Sequence, residues 1–139
     1  MPKLSRWFIK TGLVYFVASL LLSLLQKVGA AGEIWSGLSA FTPLFYHWLM
    51  LGWITQIIIG VSWWMFPRRD REQPRGSERV GWVIYGALNG GLLLRAFSEP
   101  FVVRGTDPLL SGLALLAALA QWLAGALYVA QIWPRVKLK

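Results

Sequence analysis

The 139-residue chain has no cysteine, a single histidine and only six acidic residues. The first absence excludes disulfides, thiolate metal sites and iron–sulfur clusters built on this chain. One histidine cannot form a multi-histidine metal site by itself. There is no Ser-His-Asp arrangement at a shared depth, no phosphate-cradling glycine loop and no evident pair of intramembrane carboxylates. Catalysis by the single chain is therefore not expected. Internal repeats and low-complexity segments are also missing. Charged residues make up only 14% of the chain, against 56% hydrophobic residues and nine tryptophans. A soluble domain this short cannot hide that much apolar surface in one core.

What is present is a set of apolar runs of about 20 residues, the length that crosses a bilayer. Four can be read, at about 7–27, 43–66, 80–100 and 109–132. They leave too few residues for a soluble domain. The expected fold is an all-α, four-helix transmembrane bundle, with 1–139 a single integral membrane domain. The basic start of the first run resembles a signal peptide. Its apolar stretch is long for one, and the nearest small-residue site, Ala30-Ala31-Gly32, lies beyond Gln26-Lys27. The run is read as a retained transmembrane helix.

The net charge of +8 does not mark a nucleic-acid binder, because its distribution follows the membrane. Lys3, Arg6 and Lys10 begin span one. Arg68, Arg69, Arg71, Arg75 and Arg79 separate spans two and three. Arg135, Lys137 and Lys139 follow span four. These eleven of the fourteen basic residues share one side; the others are Lys27, Arg95 and Arg104. The positive-inside pattern predicts that both termini are cytoplasmic. Trp7, Trp63, Trp64, Trp82 and Trp133 fall near that side, and Trp35 and Trp48 near the other, as interfacial anchors do. Trp53 and Trp122 lie deeper and are expected to pack between helices. The bilayer is thus the first partner, and nucleic acid is not one.

The connections are less informative. Residues 67–79 carry mixed charge and two prolines and read as a solvated loop. In the outer connection, 28–42, residues 34–38 have the composition of a short interfacial helical turn. It would place Trp35 among headgroups and Glu33 in water. Pro43 then opens span two, where a missing N–H costs nothing.

Span two runs outside to inside and span three returns. His47 therefore lies about one turn below the outer surface, and Arg95 and Glu99 reach a similar depth, one turn apart on one face. Asn89 lies nearer mid-membrane. Two accounts fit these groups. In the plainer one, which position alone favours, Arg95 and Glu99 neutralise each other and His47 bonds a backbone carbonyl. In the other, they hold an anionic or metal-bearing cofactor. Gly52, Gln56 and Gly60 recur every four residues on span two, so another helix or a flat ligand can approach closely. Ala114, Ala118, Gln121 and Gly125 form a similar face on span four. Asn89-Gly90-Gly91 is read as a close-packing point.

Taken together, His47, Gly52-Trp53, Gln56, Gly60 and Trp64-Met65-Phe66-Pro67-Arg68 resemble the second helix of heme-copper oxidase subunit I. The nearest branch is that of cbb3-type oxidases and nitric oxide reductases. Asn89 to Arg95, followed by Glu99-Pro100, fits the next helix more loosely. The resemblance covers residues 43–100, and the remainder by topology. It implies that His47 is an axial ligand of a low-spin heme b on the outer side. It also implies that Arg95 or Arg104 pairs with heme propionates. The family's second heme ligand and its copper-binding histidines have no counterpart here, so oxygen reduction by this chain alone is not expected. A symmetric homo-oligomer would present His47 twice to one iron. The alternatives are a cofactor-free accessory subunit packed against respiratory membrane subunits, and a copper carrier using His47 with Met50 one turn away. The expected location is a bacterial inner membrane.

Overall fold

The computed structural model describes residues 1–31, 36–67, 75–102, 105 and 107–136. Helices are the only regular secondary structure among them: α1 (Lys3–Ala31), α2 (Thr42–His47), α3 (Gln56–Met65), α4 (Glu78–Val102) and α5 (Pro108–Ile132). A 3-10 turn at Ser36–Phe41 precedes α2, and a π-helical stretch, Trp48–Thr55, joins α2 to α3. Four segments are long and apolar enough to cross a membrane: Lys3–Gly29, Gly37–Met65, Glu78–Val102 and Pro108–Arg135. They match the four expected spans. The first helix is longer than its apolar run, extending four residues beyond it at each end. Pro43 lies in the first turn of α2, as expected. Ser36–Phe41 takes up part of the expected outer turn, whereas Glu33, Ile34 and Trp35 lie outside the described residues.

The spans pack as two helix pairs, α1 with span two and α4 with α5, and the pairs meet along α4. Lipid tails are as apolar as leucine, so close van der Waals fit and polar bonds hold such pairs together. Glycine permits the fit in each. A Cβ on Gly52 would lie 2.7 Å from Tyr15 Cγ, and one on Gly60 would lie 3.0 Å from Phe8 Cβ and 3.1 Å from the Ser5 carbonyl. The glycine stripe of span two therefore seats α1. In the second pair, a Cβ on Gly91 would lie 2.8 Å from Gln121 Cγ and 2.9 Å from the Ala117 carbonyl. Gly91 is thus the close-packing point expected near Asn89, while Gly90 meets nothing.

Several packing expectations are corrected. The buried face of α5 runs through Ala117, Gln121 and Ala124, not through Gly125, which is exposed. Trp122 faces outward at 71% exposure, whereas Trp53 packs between helices against Phe16 at a ring separation of 4.1 Å. Trp63 is no interfacial anchor: at 2% exposure it belongs to the core with Leu4, Phe8 and Ile84. In each case the sequence fixes depth along the helix but not direction around it.

Polar side chains close the ends. Asp107 caps α5 by accepting the Leu109 N–H at 2.9 Å. Arg135, expected as a surface charge, is only 1% exposed. Its Nε donates to the Pro67 carbonyl at 3.0 Å, and its Nη2 to the carbonyls of Phe66 (2.8 Å) and Trp63 (3.1 Å). The carbonyls at the end of α3 have no helical partner, and a guanidinium satisfies three together. This ties the end of span four to the end of span two.

Candidate functional site

The histidine site begins with a change in the helix. α2 ends at His47, and the backbone widens into the π-helical stretch from Trp48. Such stretches are rare, are held by i→i+5 bonds, and often occur at functional sites. Four residues before His47, the Pro43 carbonyl lies 2.8 Å from His47 Nδ1. A carbonyl can only accept, so Nδ1 carries a proton, and in the neutral ring Nε2 keeps the lone pair. Nε2 has no hydrogen-bond partner among the described residues. The His47 side chain is 29% exposed.

α4 supplies the charges. Arg95 Nη1 donates to Glu99 Oε1 at 2.9 Å, one turn along the helix. Glu99 Oε2 lies 3.4 Å from His47 Nδ1. The nearer Pro43 carbonyl takes the Nδ1 proton, which leaves Glu99 Oε2 buried without a hydrogen bond of its own. Arg95 Nε donates to Gln121 Oε1 on α5 at 2.9 Å. One connected set of side chains thus joins span two, α4 and α5. Both Arg95 and Glu99 are about 15% exposed, and charges this far withdrawn from water are stabilised by pairing.

The structure brings together three residues singled out in the sequence, His47, Arg95 and Glu99, and the contacts of the plainer account are present. It adds the approach of His47 to Glu99. It also adds Gln121, which the sequence offered only as a packing residue; an amide in the middle of an apolar span was the available signal. Arg104 lies outside the described residues. A second polar layer sits deeper. Gln56 and Asn89 exchange amide bonds at 3.1 and 3.2 Å, and each also donates to its own helix, to the carbonyls of Gly52 and Tyr85. Toward the other end, Thr11 bonds Tyr85 at 2.7 Å and Ser62 bonds Tyr128 at 2.8 Å.

The fit of a heme to these residues is specific but partial. A ring whose Nδ1–H is held by a carbonyl, beside a carboxylate, leaves Nε2 as an oriented ligand. That suits one axial position. The chain has no second imidazole. Tyr15 and Phe8 cover Gly52 and Gly60, so a flat group does not lie over the glycine stripe. No cluster of three or more His, Cys, Asp or Glu that would hold a metal ion occurs among the described residues. Compared with protein-family models, curated proteins and solved structures, the chain shows no match.

Proposed function

We propose that the chain is a heme-binding integral membrane protein in which His47 Nε2 would hold the iron of heme b together with His47 of a second copy. The observation that carries this is the fixed ring: Pro43 holds Nδ1–H at 2.8 Å, Glu99 lies alongside, and Nε2 has no partner among the described residues. The resemblance of residues 43–68 to the second helix of heme-copper oxidase subunit I supports the same role. Partial exposure of His47 suits a site completed from outside the chain, since a two-fold contact presents the same patch twice.

Each residue has a definite task. Pro43 and Glu99 set the tautomer and orientation of the imidazole. Arg95 neutralises Glu99, and Gln121 holds Arg95 in place. Arg95 is thereby engaged within the chain; Arg104 is the other residue expected to meet a propionate. A heme bound in this way supplies one-electron transfer. The protein's own contribution is ligand geometry within an apolar bundle in a bacterial inner membrane. The decisive experiment is an absorption spectrum of the purified protein before and after hemin is added. A Soret band that saturates is expected, and its absence after hemin addition contradicts the assignment.

A second function is favoured by the closure of the polar set within one chain: a cofactor-free accessory subunit. In that case His47→Ala leaves folding and assembly with partners unchanged, and hemin gives no specific band.

A further inference from the structure

α1 divides into two faces over its first five turns. Leu4, Ser5, Phe8, Gly12, Tyr15 and Ser19 are buried against the bundle. The opposite face starts with Lys3, Arg6, Trp7 and Lys10, which line an open concavity of about 290 Å³. The residues continue at i, i+3, i+4 and i+7, so they form one stripe. None of the three cations has a hydrogen bond or ion pair among the described residues, and the sequence has no acidic residue before Glu33. Trp7 is 54% exposed, with its ring set edge-on to Tyr85 at 6.3 Å. Further along the same stripe, Val14, Val17 and Leu21 are all more than half exposed.

We infer that this face binds one anionic phospholipid. Its phosphodiester sits among Lys3, Arg6 and Lys10, its glycerol region lies beside Trp7, and an acyl chain runs along Val14, Val17 and Leu21. The order of chemistry along the helix is that of the lipid: cations, an interfacial indole, then aliphatic side chains. Charge selects the occupant. A zwitterionic lipid would bring its own ammonium group toward the three cations. A second copy docked two-fold on this face would set the basic stripes against each other. A water-soluble acidic peptide would leave the aliphatic part of the stripe uncovered.

The test uses the full chain reconstituted in phosphatidylcholine vesicles with trace spin-labelled lipid, with the immobilised fraction read by electron paramagnetic resonance. Spin-labelled phosphatidylglycerol should associate about five-fold more strongly than spin-labelled phosphatidylcholine, the effect of one well-placed cation. The preference should vanish in the Lys3→Gln/Arg6→Gln/Lys10→Gln variant and persist in Arg79→Gln, an exposed cation at the same end of the bundle. In the wild-type protein, high salt should abolish it, a result that does not depend on the variant folding. Equal association of the two lipids with wild type, or a preference retained by the triple variant or in high salt, overturns the inference. Displacement of the labelled lipid by inorganic phosphate at constant ionic strength would show a free-anion site instead. A wild-type dimer that the triple substitution dissociates would show that a second copy occupies the face.

Discussion

Arg135 shows how much one side chain can decide in this molecule. It donates to three carbonyls at the end of α3 while almost fully buried. Replacing it with methionine keeps the apolar stem but leaves those carbonyls without a donor. Bonds to a charged group contribute about 1.5–3 kcal/mol each, partly offset here because the buried charge also disappears. Arg135→Met should therefore lower stability by roughly 2–4 kcal/mol, measured by unfolding in mixed micelles. Arg135→Lys should recover little, since a compact ammonium cannot reproduce the planar fork. A change within 0.5 kcal/mol, the range of about ±0.5 typical of an ordinary surface substitution, would show that the contact is incidental. The sequence marked Arg135 as a topological charge, and neither its burial nor its carbonyl partners was legible. Both depend on where α3 ends relative to α5, a long-range relation that no local pattern encodes. His47 was more legible. A single imidazole in an apolar run is conspicuous because ionisable groups there are costly. Its tautomer was not, because it rests on the 2.8 Å approach of the Pro43 carbonyl.

For the helical elements, hydropathy and length gave the four spans, but not which side of each helix is buried. In water, periodicity separates the inner from the outer face. In lipid both faces are apolar, which is why Trp122 and Trp63 exchange their expected positions. The π-helical stretch at Trp48–Thr55 left no compositional trace. Small residues gave the best guidance, and they separate into two classes. Gly52→Ala would press a methyl group against the Tyr15 ring at 2.7–3.0 Å. Overpacking of this kind typically costs about 1–3 kcal/mol. Gly90→Ala and Gly125→Ala meet open space and should be neutral or slightly stabilising, because alanine favours helix. Thermal denaturation of the three variants in detergent checks the contrast; equal effects would contradict the α1–span two contact. Asp107→Ala removes the side-chain cap of α5 and should cost about 0.5–2 kcal/mol, visible in the same assay.

The whole molecule is two helix pairs joined by polar contacts at successive depths. The Gln56–Asn89 exchange links span two to α4 near mid-membrane. A double-mutant cycle with Gln56→Leu and Asn89→Leu should give a coupling of about 0.6–1.7 kcal/mol, the range of polar contacts between membrane helices. Zero coupling would mean that this exchange does not help to hold the pairs together. Above this layer, the His47–Glu99–Arg95–Gln121 set joins three spans and leaves one ligand atom, Nε2, without a partner among the described residues. Whether that atom meets iron is the central question, and the heme-to-chain ratio of the purified protein, read together with its low-spin optical spectrum, answers it most directly. The predicted result is one heme for two chains, absent from a His47→Ala variant that retains its helical content. No bound heme after hemin addition, or an unchanged spectrum in that variant, would contradict the account.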